Sequence, residues 1–217
     1  MTTMKHFSLV LFLVAALASA PAALAQKWEI GVGAGGSFYT SQTVKSAIAN
    51  ADASLASGLA FSAWLGNNSG RLMGGELRYD YENSDLKLKS GSTTVKFGAQ
   101  THAVHYDFLI HFTPRESKIR PFIAAGAGIK AFRGTGTEAA FQPLGNIADL
   151  TKTSQVKPMV SVGGGVKVAL GPAVQIRLEA HDYLTPFPKN LISPAAGAKV
   201  DGWLQDFVIM GGLSFTF

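Results

Sequence analysis

Residues 27–39 read KWEIGVGAGGSFY, and their apolar side chains recur at every second position. Trp28, Ile30, Val32, Ala34, Gly36 and Phe38 share one phase; Glu29, Gly31, Gly33, Gly35 and Ser37 share the other. A period of two marks a β-strand with one apolar face. What that face meets decides the fold.

The alternation returns seven more times. Its apolar phases are Leu59–Leu65, Met73–Tyr79, Val104–Phe112, Ile123–Ile129, Val160–Val168, Val174–Ala180 and Phe207–Phe217. None of the eight apolar phases carries a charge. Every strand charge falls in the opposite phase, among Gly, Ala and Ser. A lysine or arginine facing lipid costs ~2–4 kcal/mol at the bilayer midplane, so a lipid-facing surface excludes charge. Small inward residues suit a narrow barrel. A soluble carrier of eight strands would reverse the faces. It would have to close Glu76, Arg78, Asp107, Arg177 and Glu179 into a dry ligand pocket, at heavy desolvation cost.

The connections follow the same logic. After the second, fourth and sixth strands they are short: NNSGR, TPRESKI and LGPA. After the first, third, fifth and seventh they are long, spanning 40–54, 82–96, 133–156 and 185–205. Transmembrane barrels show this asymmetry, with tight periplasmic turns and larger external loops. The expected fold is therefore all-β: an eight-stranded antiparallel up-and-down transmembrane barrel with both termini in the periplasm. Phe38, Tyr39, Tyr79, Tyr81, Phe97 and Phe132 are expected at the external rim, and Trp28, Phe112, Phe215 and Phe217 at the inner one. Trp64 breaks the pattern. It falls in the inward phase, which fits either a bulge or a lumen plug.

The first residues supply an export route. Lys5 and His6 precede an apolar run, Phe7–Ala20, and Ala23-Leu24-Ala25 has the form of a cleavage signal. Residues 1–25 are read as a cleaved signal peptide and residues 26–217 as the barrel domain. The run is short for a spanning helix, and cysteine is absent, which excludes a lipid-anchored start as well as disulfides. Of 217 residues only 15% are charged, against the roughly 25% usual in soluble domains. The net charge of +5 is scattered, with no basic run, so no nucleic-acid partner is expected.

With its leader, eight alternating strands, short–long connections and terminal Leu213-x-Phe215-x-Phe217, the chain resembles the small bacterial outer-membrane barrels of the OmpA-barrel and OmpX type. The resemblance spans the whole expected mature chain. It implies residence in the outer membrane among lipid and lipopolysaccharide. It also implies that Leu213, Phe215 and Phe217 form the signal read by the barrel-assembly machinery. A monomer is expected.

Eight strands leave an interior that side chains can fill. Glu29, Glu76, Asp80, Asp107 and Glu179 point inward with Arg78, Arg120, Lys130, Lys167 and Arg177. A selective pore favours a ring of one sign. Equal numbers favour a plug, in which Glu76, Arg78, Asp107, Lys130, Lys167, Arg177 and Glu179 form an internal network. The third and seventh strands lie opposite each other, which lets Glu76 and Arg78 meet Arg177 and Glu179. A small passive channel of the OmpW kind is the alternative.

No catalytic, cofactor or metal residue is assigned. Ala180-His181-Asp182-Tyr183 is read at the external end of the seventh strand, within reach of outer-leaflet lipid. Lipid A deacylases are similar barrels with a Ser–His–acid set near that level, but their serine position is Tyr183 here. His102 and His105 point to opposite faces, and His105 and His111 are ~20 Å apart at ~3.3 Å per residue, too far for one ion. Gly163-Gly164-Gly165 lies inside a strand, so it cradles no phosphate. The long loops remain, and loops on a rigid barrel carry function, so an extracellular ligand is expected there.

Overall fold

The computed structural model describes residues 27–217; the expected signal peptide lies outside the described residues. Fourteen strands follow in chain order: β1 Trp28–Tyr39, β2 Gln42–Lys45, β3 Asn50–Leu55, β4 Gly58–Asn67, β5 Met73–Asn83, β6 Leu86–Ser90, β7 Thr93–Phe97, β8 Ala99–His111, β9 Ile119–Gly134, β10 Ala148–Leu150, β11 Ser154–Ala169, β12 Val174–Pro186, β13 Ile192–Pro194 and β14 Trp203–Thr216. The eight long strands make a closed barrel in the order β1-β14-β12-β11-β9-β8-β5-β4, each antiparallel to its neighbours. Closure joins the first and last barrel strands. Trp28 N–H donates to Phe217 C=O at 3.0 Å, and Phe217 N–H returns to Trp28 C=O at 2.9 Å. Closing the sheet leaves no unpaired edge, the condition for spanning hydrocarbon with strands.

Alternation sorts the side chains by face. Val32, Phe61, Leu77, Tyr106, Ile123, Val162, Leu178 and Ile209, one from each barrel strand, are 49–63% exposed on the outside. A greasy belt running all the way round exceeds what a water-soluble monomer leaves bare. The opposite phase is buried and charged: Glu29, Glu76, Arg78, Lys130, Lys167 and Arg177 are each at most 3% exposed. Three of the connections, 68–72, 112–118 and 170–173, are short and lie at the same end of the barrel as Trp28 and Phe217.

The other end holds a folded cap, built from the four long connections expected as loops. β2, β3, β6 and β7 form a four-stranded sheet, in which β3 of the first long connection pairs with β6 of the second. β10 and β13 join the third and fourth. A bridge from Lys45 to Lys199 ties the first to the fourth. Gly91, at φ +56°, opens the two-residue β6–β7 turn, where a left-handed residue is required. The cap has its own apolar core, including Val44, Leu86, Leu88, Phe132, Leu150 and Leu191, each at most 1% exposed.

This core corrects part of the expected outer girdle. Phe97 and Phe132 are packed inside the cap rather than at the lipid boundary. Tyr39 turns inward and donates its hydroxyl to Glu82. Phe38, Tyr79 and Trp203 remain outside, 42–52% exposed, with the Tyr79 hydroxyl 2.8 Å from Nδ1 of His102.

Candidate functional site

The lumen is organised in layers because each barrel strand contributes every second residue to it. The central layer comes from β5 and β12. Arg177 makes a two-pronged contact with Glu76, 2.6 and 2.8 Å, and its Nε donates to Glu179 at 2.5 Å. Arg78 reaches the same two acids, at 3.2 Å to Glu76 and in close contact with Glu179, while its Nε holds Asp80 at 3.1 Å. Four of the inward charges thus interlock across the barrel. Arginine's planar fork suits such paired carboxylates.

Trp64 forms the floor of this layer. Its Nε1–H donates to Glu29 at 3.1 Å, and its ring faces both guanidinium groups, 5.3 Å from Arg78 and 4.8 Å from Arg177. The indole fits because Gly31, Gly33 and Gly212 lie against it; a Cβ at Gly31 would overlap the ring. Trp64 therefore points into the lumen from a strand of unbroken register, with no bulge at its position. Below it, Lys167 pairs with Glu29 at 2.6 Å, and the amide of Asn68 donates to the same acid at 3.0 Å.

Above the centre, His105 spans Asp80 and Asp107, 2.9 Å to each. Tyr183 donates to Asp80 at 3.0 Å. Higher still, Lys130 holds Glu82 at 2.8 Å and Asp206 at 2.5 Å beneath the cap. Glu82 and Asp206 are inward charges that the sequence reading missed. β5 runs to Asn83, past the expected strand end, and β14 starts at Trp203, ahead of the segment whose alternation was read. Every network residue singled out in the sequence faces the lumen. They divide into the central cluster of Glu76, Arg78, Arg177 and Glu179, Asp107 above it, and Lys130 and Lys167 near the two ends. Arg120 also faces inward but pairs with no acid within 4.0 Å among the described residues.

His181 and Tyr183 require a correction. Both are buried in the lumen, 3% and 0% exposed, because β12 continues to Pro186 and places them below the rim. Ser161 Oγ and Asp107 Oδ2 both approach Nδ1 of His181, at 3.4 and 3.8 Å. Glu179 Oε2 lies 3.4 Å from Nε2 of the same ring, so Ser161 and Glu179 face opposite ring nitrogens as in a nucleophile relay, but Glu179 is held by both Arg78 and Arg177 and the set is buried in the lumen rather than at the lipid rim. Leu213 and Phe215 lie on the lipid face, 51% and 55% exposed, and Phe217 closes the seam with Trp28.

The outer membrane protein beta-barrel domain model matches residues 8–208. The chain belongs to that family. Its barrel accordingly indicates the bacterial outer membrane, with the short turns at the periplasmic end. Two solved structures illustrate the shared architecture. Neisserial surface protein A is 11% identical with a TM-score of 0.57, covering 89% of this chain and 99% of its own. OprG from Pseudomonas aeruginosa is 13% identical with a TM-score of 0.56, covering 88% of this chain and 97% of its own. At such identities the likeness concerns fold. No curated protein matches the chain in sequence.

Proposed function

We propose that this family member is a closed, non-conducting barrel whose task is to present the folded cap at the cell surface. The observation that carries the reading is the interlocked layer of Glu76, Arg78, Arg177 and Glu179 stacked on Trp64, with all five side chains no more than 6% exposed. Ions crossing the barrel would have to break buried charge-assisted bonds, the strongest class available to side chains. The cap favours a contact role. Four connections that share strands and an apolar core present a fixed surface, and a pre-ordered surface loses less entropy on binding than separate loops would. The extracellular partner, lipopolysaccharide or protein, meets that surface. Neisserial surface protein A carries its location in its name and has the same fold.

Planar-bilayer recording tests the closed lumen. Purified protein inserted at neutral pH is expected to give no discrete conductance steps. Regular steps proportional to salt concentration would support the small-channel alternative and reject the plug.

A further inference from the structure

The periplasmic mouth of the barrel holds charge that the interior does not neutralise. Arg120 and Lys167 are direct cross-strand partners on β9 and β11, two cations side by side. Like charges in that position repel. Glu29 serves Lys167 at 2.6 Å and lies 3.8 Å from Arg177, which leaves Arg120 without an acid. Yet Arg120 is only 3% exposed. Its Nε and Nη2 are buried with no hydrogen-bond partner among the described residues, and so is Nε of Arg115.

The unpartnered groups are not spread evenly. Ten buried side-chain nitrogen and oxygen atoms lack a partner among the described residues. Seven of them belong to Arg115, Arg120, both nitrogens of His111, Gln175 and Ser214, all at this end. A buried donor without a partner costs about 1–3 kcal/mol, more when charged, so such a concentration calls for a ligand. There is room for one. A recess of about 290 Å³ opens between the three short turns, lined among others by Asn68, Arg115, Ser117, Arg120, Gln175 and Thr216. The acid on its wall, Glu116, is exposed, so water screens it, whereas Arg120 is buried.

We propose that this recess binds a phosphate group at the periplasmic face, carried either by a small free oxyanion or by a lipid headgroup. Two guanidinium groups supply forked donors that match tetrahedral oxygens. The Ser117 and Thr216 hydroxyls and the Asn68 amide line the same wall. Gln175 adds a donor if its amide is turned to present Nε2, an arrangement that also removes its orphaned Oε1. The site lies at the opposite end from the cap, and it does not depend on whether the lumen conducts.

Phosphorus NMR of inorganic phosphate titrated with the protein in maltoside micelles, free of phospholipid, tests the proposal. Saturable line broadening is expected. Arg120→Gln should weaken it at least about tenfold, the effect of losing a charged hydrogen bond. Arg133→Gln, which alters an exposed arginine at the other end, should leave it unchanged. Repeating the titration in phosphatidylglycerol bilayers separates the sources. Lost broadening there assigns the site to a headgroup phosphate, and retained broadening to the free ion. No saturable broadening by the unaltered protein overturns the proposal, as does equal binding by a folded Arg120→Gln protein. Should that variant not fold, Arg115→Gln provides the same comparison.

Discussion

Arg177→Ala should be among the most damaging single changes in this protein, at about 3–5 kcal/mol, the range for removing one partner of a buried ion pair. The reason is what remains behind. Glu76 loses both prongs of its main contact, and Glu179 loses its 2.5 Å bond. Arg78 then serves two acids alone, and no water-exposed route relieves the excess negative charge, since Glu76 and Glu179 are 1% and 6% exposed. The folded barrel should unfold at distinctly lower temperature, read from its mobility on unheated and heated gels. A compensating pair separates charge from packing. Arg177→Met combined with Glu76→Gln restores neutrality, and replacing buried ion pairs by uncharged groups of similar volume is often nearly neutral. The double variant should therefore recover most of the loss. An Arg177→Ala barrel that unfolds at the unaltered temperature would show that the network contributes little.

One position further along the same strand, the demand inverts. Leu178 is 57% exposed on the outer face, at mid-height on β12, opposite Gly211 and Val166. Leu178→Arg should cost about 2–4 kcal/mol, because a guanidinium there enters hydrocarbon without a partner. Leu178→Phe should cost little, since lipid accepts either side chain. The urea midpoint for unfolding from phosphatidylcholine vesicles measures both. Equal midpoints for the arginine and phenylalanine variants would place Leu178 outside the hydrocarbon and break the assignment of faces.

This contrast between adjacent residues explains why the barrel was legible in the sequence. Lipid excludes charge from one face of every strand, so the alternation is nearly free of noise. Glu76, Arg78, Arg177 and Glu179 could be placed opposite one another once eight strands were counted. Strand ends were harder to read. Above the membrane the outer face no longer has to be apolar, and the pattern that located Tyr79 gives no warning that β5 continues through Glu82. For the same reason the alternation alone puts His181 and Tyr183 at the rim, although His181 lies in the inward phase. The cap escaped notice because its strands are three to six residues long and its pairings join different connections. LKLKS at 86–90 does alternate, but a single short run has no partner visible in the sequence. Trp64 stayed ambiguous because the space for its ring is made by Gly31 and Gly33 on β1 and Gly212 on β14. No local pattern around residue 64 reports them.

Trp64 also offers the most direct measurement, because the chain has only three tryptophans and no cysteine. Trp28 is 45% exposed on the outer face, Trp203 is 52% exposed, and Trp64 is 3% exposed in the lumen. A protein carrying Trp28→Phe and Trp203→Phe, folded into bilayers, reports from Trp64 alone. Its fluorescence is expected to resist both quenchers: bromines on the acyl chains, because the barrel wall intervenes, and aqueous iodide, because the network excludes water. The companion protein retaining only Trp28 should be quenched by brominated lipid. Iodide quenching of Trp64 would mean a water-filled lumen, and quenching by brominated chains would mean that the inward and outward faces are exchanged; either result contradicts a sealed barrel in lipid.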